Sequence, residues 1–423
     1  MAKIKNVFGL EVVDSRSNPT IMAIVQLDNN IVAKAIAPAG ASKGKNEALE
    51  LRDGTKRLNG LGVKKSVSLI NNLISKKLKG INIFDQELID SILIELDGTA
   101  NMAKIGSNTA MAVSLACIKA AAAAKKVPLY KFLNKKEFVL PIPFMNVING
   151  GVHAGNDLSI QEFMIVPKNF KTFSDAFWAA VEVYHSLKTL IKNKYSKNAI
   201  NVGDEGGFAP PLSFTTQALD LLLEAIELCG FNKKIFLAID AAANSFFDQK
   251  QQKYFIDKKM LSSQELLDYW VNLIKSYPII SIEDPFEESA YFYYAQLKNS
   301  TSIQVVADDI TVSNLKLVKK AYAQNALTTL LLKINQVGTL SQAIETADYA
   351  SKNNLNIMLS HRSGETEDNV LSDLVVGLGY GLIKTGAPAR GERTAKYNRL
   401  LEIEFELNIR SQKSKFGINL KRL

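Results

Sequence analysis

Apolar residues in the second half of this chain come in short runs, and each run ends on a residue that carries chemistry. The runs are 235–239 before Asp240, 279–282 before Glu283, 303–307 before Asp308, 330–332 before Lys333, 356–359 before Ser360-His361-Arg362, and 380–383 before Lys384. After one longer gap of about 43 residues they recur roughly every 25, the length that a strand, a helix and two loops consume in a β/α barrel. Strands covered on both faces read as unbroken apolar runs, so this half is predicted to be a (β/α)8-type barrel. In a parallel barrel the strand ends share one rim, where active sites are built.

The first third is patterned differently. Residues 4–37 alternate as strands, with Asp28-Asn29-Asn30 as a turn between 21–26 and 31–36. Residues 38–44 read as a small-residue loop. Residues 60–126 read as helices, most strongly from Asn108 to Lys126, where five alanines follow one another from Ala120. Pro128 is expected to close that helix. Strands followed by helices make a smaller α+β unit, predicted over 1–130, with the catalytic barrel over 131–423. Further on, the runs 143–148 and 163–166 are joined by the Gly-rich stretch Asn149–Gly155, and helices are predicted over 173–193 and 215–229. Ser262–Glu265 and Thr339–Gln342 read as capping boxes opening two more.

Composition narrows the class. The chain has 423 residues and is 47% hydrophobic, enough for a large core and too much for a disordered protein. No apolar run approaches the ~20 residues of a membrane span. Met1–Asn6 passes straight into a strand pattern without a signal-peptide core. Cys117 and Cys229 stand isolated in apolar helical patterns, as buried reduced thiols do, so the expected location is cytoplasmic. The net charge of +9 comes from scattered lysines. Pairs such as Lys64-Lys65 and Lys135-Lys136 belong to no nucleic-acid motif, so nucleic acid is not an expected partner. An anionic small molecule would still gain from the positive field.

The run ends then carry the chemistry. Asp240, Glu283 and Asp308 offer hard oxygen donors from three neighbouring strands, a set suited to Mg²⁺ with positions left for water or substrate. Lys333 emerges from three leucines, and beside bound cations its pKa is expected to fall, making it a usable general base. Arg362 and Ser363 read as a phosphate clamp, and Lys384 as the holder of a second anionic group. His153 sits in the Gly-rich loop, His361 at a strand end, and His185 in a helical stretch where a structural role is expected. The loop Gly203–Pro211 presents Glu205, which with Glu162 is a candidate for the acid side of the reaction.

Together these segments resemble the enolase family, whose members interconvert 2-phosphoglycerate and phosphoenolpyruvate. The similarity runs from Asp14-Ser15-Arg16 to about Leu407. It rests most on Ser360–Asp368, on Ile334–Thr339 after Lys333, on Gly203–Pro210 and on Ile383–Pro388. The resemblance implies an enolase-style barrel and a hydro-lyase of glycolysis and gluconeogenesis. Lys333 would be the base, in keeping with the lysine-plus-Mg²⁺ pattern of that superfamily, and Glu205, supported by Glu162, the acid. It implies two Mg²⁺ ions, the first on Asp240, Glu283 and Asp308, the second arriving with substrate and reached by Ser42. Arg362, Ser363 and His153 would meet the phosphate, Lys384 the carboxylate, and Gln161 and His361 would line the pocket. Closure of the Ser42 and His153 loops would exclude water. A homo-oligomer, dimer or octamer, is implied as well.

The chain departs from the family pattern at Ser17, where Gly is usual, at Ala39 and Lys43 in the small-residue loop, at Asn244-Ser245 in place of Ser-Glu, and at Gly391. Two other readings compete. A related superfamily enzyme acting on another carboxylate would carry Lys-x-Lys where this chain has Gln161-Glu162-Phe163. A surface protein that captures host protein, plasminogen for example, is permitted by the basic surface and by Lys421-Arg422-Leu423. Such a protein would be expected to lose active-site residues, and none is lost.

Overall fold

The structure is a computed structural model that describes residues 2–40, 44, 46–134, 137–409, 412 and 414–417. Ser42, Lys43 and Lys421–Leu423 lie outside the described residues.

Three strands, β1 (Ile4–Val13), β2 (Pro19–Leu27) and β3 (Val32–Ile36), form an antiparallel meander in that order. The helix Ser107–Ala124 packs across β2 and β3. Its alanines lack bulk, so helix and sheet approach closely. By length and composition alone this helix could cross a bilayer, which qualifies the expectation that no segment could, but 83% of it is buried inside the protein. The helix stops where Lys126 takes a left-handed φ of 57°. Pro128 does not close it; it caps the start of the next helix, Leu129–Leu133.

The remainder closes an eight-stranded barrel of β4 (Ile142–Asn149), β5 (Glu162–Pro167), β6 (Ile235–Asp240), β7 (Ile279–Glu283), β8 (Gln304–Ala307), β9 (Thr329–Leu332), β10 (Asn356–Ser360) and β11 (Gly381–Lys384). Phe144, Val166, Ala238, Val306, Leu331, Met358 and Leu382 belong to a core cluster separate from the larger one shared with the helices.

One strand departs from the parallel pattern. β5 runs antiparallel to both β4 and β6, while the other neighbours pair in parallel. Parallel neighbours need a crossover, usually helical. The Gly-rich stretch between β4 and β5 holds only one 3₁₀ turn, Gly151–His153, and folds back on itself. As a result the start of β5, not its end, reaches the functional rim. Gln161 and Glu162 arrive there from the opposite chain direction, and Asp240 pairs in register with Glu162 on one side and Glu283 on the other.

The long gap between β6 and β7 also has a cause. It holds a small antiparallel sheet, Phe247–Asp248, Lys253–Ile256 and Lys259–Leu261, ahead of the helix Ser263–Ser276. Ser262 and Glu265 cap that helix reciprocally, as expected. Thr339 also caps its helix, but Gln342 accepts from the Thr339 hydroxyl rather than from the backbone, so only half of the second box forms.

The N-terminal unit touches the rim through the segments at 14–18 and 39–40. Ala39 and Gly364 exchange backbone hydrogen bonds of 2.8 Å, Ser15 N donates to Glu365 O, and Arg16 reaches Gly40 O at 3.1 Å. A Cβ on Gly364 would stand 2.7 Å from Ala39 O. The Ala39 departure leaves these backbone bonds intact. Ser17 does sit in the left-handed region, at φ 60°, where a Cβ crowds the backbone. Ser17→Gly is therefore expected to stabilise the fold by about 0.5–1 kcal/mol, read as a higher denaturation midpoint with an unchanged slope.

Candidate active site

The strand ends meet as predicted, and two lysines organise them. Lys384 is buried at the end of β11 and donates to Asp240 Oδ2 and Glu283 Oε2, both at 2.8 Å, with Glu162 Oε1 at 3.2 Å. One ammonium thus ties the start of β5 to the ends of β6 and β7. Burial pulls its pKa down, but the charges of Asp240, Glu162 and Glu283 outweigh that and hold it well above the ordinary value. The carboxyls of Glu162 and Glu283 are pushed the other way, well up, first by burial and then by their acidic neighbours.

Lys333 contacts Asp308 Oδ2, and Asp308 Oδ1 accepts from Gln336 Nε2 at 2.8 Å. The fall in the Lys333 pKa is expected beside bound cations; against Asp308 alone the balance runs the other way. Burial lowers the pKa, but the touching Asp308 carboxylate more than compensates, and the net direction is upward. Asp284 and Asp309 stand beside Asp308, with oxygens of all three within 4.8 Å of one another. Burial and the Asp308 charge push Asp309 up to about 7. Asn244, one of the departures, donates to Asp309 Oδ2 at 2.9 Å and accepts from Glu288 N at 3.0 Å, bracing this acidic corner.

The opposite wall is built by the loop 203–207. Glu205 Oε2 accepts from Asn146 Nδ2 at 3.1 Å and lies 3.5 Å from His361 Nε2, while Oε1 lies 3.8 Å from His153 Nδ1. The glycines let the loop seat this deeply, since a Cβ on Gly203 would come within 2.6 Å of His153 O. Burial raises the Glu205 pKa, but the surrounding imidazoles and Arg393 lower it by more, and the net direction is well below normal. His153, Glu162 and Glu205 bring ligand atoms within 4.8 Å of one another. The two glutamates are therefore close neighbours with opposed shifts, and in this geometry Glu162 is the one that favours its proton.

Arg362 points its fork at Glu47 of the N-terminal unit, at 2.9 and 3.2 Å, and at Asn335 Oδ1. Its neighbour Ser363 lines the same pocket, as do His153, Gln161, Glu162, Glu205, Asp240, Asp308, Lys333, His361 and Lys384. Glu283 is buried and meets the site through its contact with Lys384. His185 is exposed on the outer helix Phe173–Lys194, away from the pocket. Several polar atoms at the pocket are buried without a hydrogen-bond partner among the described residues: Gln161 Oε1, Glu162 Oε2, His153 Nδ1 and His361 Nε2. Buried polar groups are rarely left so, and a polar ligand would satisfy them.

Sequence reasoning missed Glu47, Asn146, Asp284, Asp309 and Arg393. Asp284 and Asp309 had a usable signal, for each directly follows a predicted ligand. The others come from segments with no local mark.

Two family models cover the chain. The model described as the enolase N-terminal domain matches residues 4–133, and that of the enolase C-terminal TIM barrel domain matches 137–419. The enolase of Methanocaldococcus jannaschii is 50% identical over 408 residues, 96% of each chain. Enolases of Saccharolobus islandicus and Saccharolobus solfataricus are 46% and 45% identical over 403 residues, 95% of each chain. With the catalytic rim assembled and both halves matched, the chain belongs to the enolase family.

Proposed function

We propose that Lys333 removes the C2 proton of 2-phosphoglycerate and that the Glu205–Glu162 pair protonates the departing C3 hydroxyl. An enolase is a lyase that dehydrates 2-phosphoglycerate reversibly to phosphoenolpyruvate. The observation that carries the assignment is the placement of a buried lysine and a close carboxyl pair with opposed pKa shifts around one pocket, with Lys384 also in its lining. The C2 proton is weakly acidic because its loss puts extra charge on the substrate carboxylate. Lys384, kept cationic by Asp240, Glu162 and Glu283, faces that charge in a site with little water, where such stabilisation is strongest. Arg362, Ser363 and His153 take the phosphate, which competes with Glu47 for the Arg362 fork. Gln161 and His361 complete the lining.

Asp240, Glu283 and Asp308 would hold Mg²⁺. The fit is supported by the lysines themselves, because each of these carboxylates already grips an ammonium, and by the all-oxygen donor set. When bound, the metal supplies positive charge to the enolised carboxylate. With Asp308 turned to a metal, Lys333 would lose its carboxylate contact, and burial would then favour the neutral amine a base requires. Ser42 would be the ligand of a second Mg²⁺. The same reading places the protein in the cytoplasm as a homodimer or octamer and divides the chain near residue 130.

Separate acid and base make a specific prediction. Glu205→Gln is expected to slow phosphoenolpyruvate formation by about 10²–10⁴-fold, followed by absorbance. Exchange of the C2 hydrogen with D₂O, followed by NMR, should continue. Equal loss of both would remove Glu205 from the acid role.

A further inference from the structure

We propose that Arg393 is a positioning residue that fixes His361 as the neutral Nε2–H tautomer, so that its pocket-facing nitrogen is a standing hydrogen-bond donor. The inference builds on the pocket assignment above, but its first test is made without substrate or turnover.

Arg393 belongs to the helix Gly391–Ile409 and is fully buried. Nη1 lies 2.6 Å from His361 Nδ1 and donates to Arg362 O at 2.7 Å. Nη2 donates to Asp204 O at 3.0 Å and to Ser363 O at 2.6 Å. One planar guanidinium therefore spans the strand-end loop 361–363 and the Glu205 loop and has no freedom to turn away. Gly386 makes room for it, since a Cβ there would stand 2.9 Å from Arg393 Cδ.

A guanidinium donates and never accepts. The 2.6 Å contact thus requires a lone pair on Nδ1, and the single proton of a neutral ring must sit on Nε2. A protonated ring would press an N–H against a buried cation, which low dielectric makes costly. Glu205 and Glu365 pull toward the imidazolium, but burial and Arg393 prevail and bring the His361 pKa down to about 4. Nε2 lies 3.5 Å from Glu205 Oε2 and has no hydrogen-bond partner of good geometry among the described residues.

The functional consequence is directional. His361 cannot take a proton from substrate or from Glu205. It can only donate a hydrogen bond, to the Glu205 carboxylate or to a substrate oxygen. Arg393 acts on the reaction through this ring and touches no reacting atom itself.

The test is long-range ¹H–¹⁵N NMR of full-length protein labelled at its three histidines, with His361→Gln identifying the His361 signals. Wild type should show the Nε2–H tautomer, with no titration between about pH 5.5 and 9. In Arg393→Met the ring should mix tautomers and titrate at a higher pH than in wild type, because Glu205 still favours the imidazolium and only burial opposes it. The kcat profile should gain a limb at that pH, with KM little changed. Arg393→Lys, which keeps a cationic donor, should preserve the tautomer. A purely structural arginine would lower the melting temperature in Arg393→Met without moving tautomer or pH profile, and that result overturns the proposal. So does an Nδ1–H or imidazolium His361 in wild type at neutral pH. Should Arg393→Met fail to fold, the wild-type spectrum and Arg393→Lys still decide, since an Nδ1–H ring in either contradicts the mechanism.

Discussion

Lys333→Ala should abolish turnover, with kcat lower by at least about 10³-fold, toward the upper end of what a positioned general base contributes. The reason lies in what remains around the vacated position. Asp308 stands where the amine was, but its oxygens are committed to Gln336 and to the proposed metal. Arg362 is a cation held by Glu47 and Asn335. Neither can take a proton from C2. Unlike Glu205→Gln, this variant should lose hydrogen exchange at C2 together with dehydration, because both begin with the same abstraction. The decisive comparison is therefore the exchange rate in D₂O for the two variants beside wild type. Exchange in Lys333→Ala within tenfold of wild type would end the assignment of Lys333 as base. A folded, inactive wild type would end the wider reading.

Much of this site could be read before any coordinates, because barrel strands leave a strong trace. Buried strands of β-branched and leucine residues stand out as runs, and a charged residue at the end of such a run has few reasons to be there other than the rim. The same pattern groups Asp240, Glu283, Asp308, Lys333, His361, Arg362 and Lys384 at one rim, where the structure also places them. Direction was harder. An apolar run looks the same whichever way the chain travels, so the reversal of β5 was hidden, and with it the reason why Glu162 lies at the start of a strand and still meets Asp240 in register. Glu162 stands out only as an acid to pair with Glu205, and the role of Gln161 comes from the resemblance; the run pattern places neither.

Partners across the sequence were invisible for a different reason. Glu47 meets Arg362 from 315 positions away, and Arg393 meets His361 from 32 positions away. No periodicity encodes such meetings, which arise only when segments apart in the chain fold against each other. Protonation was the least legible property of all. The direction of the Lys333 shift depends on whether Asp308 touches the amine or a metal, and the division of a proton between Glu162 and Glu205 depends on distances that no spacing supplies.

The strongest effect on the fold itself is expected from Lys384→Met. Methionine fills similar space but leaves Asp240, Glu283 and Glu162 buried against one another with no ammonium among them. Removing one partner of a buried ionic cluster costs about 3–5 kcal/mol, because the remaining charge is left uncompensated. The sign of the pH dependence follows from the carboxyls. Glu162 and Glu283 already have folded-state pKa values above the unfolded one of about 4.3. Such a group disfavours the folded state increasingly as pH rises past the unfolded value. Losing Lys384 raises both further, so the deficit should be smallest in mild acid and should grow toward alkaline pH. Mg²⁺ should then stabilise the variant more than it stabilises wild type, since the cation takes over the carboxylates the lysine held and binds only the folded form. Denaturant titrations at about pH 6 and pH 8, with and without Mg²⁺, read all three effects. Turnover should stay about 10²–10³-fold low even at saturating Mg²⁺, as for other lost charge-stabilising donors, because the metal restores charge balance among the carboxylates but leaves no ammonium facing the substrate. Equal stability of variant and wild type in metal-free buffer at both pH values would show that the ammonium is not what holds these strand ends together. Full recovery of turnover with Mg²⁺ would remove Lys384 from the reaction.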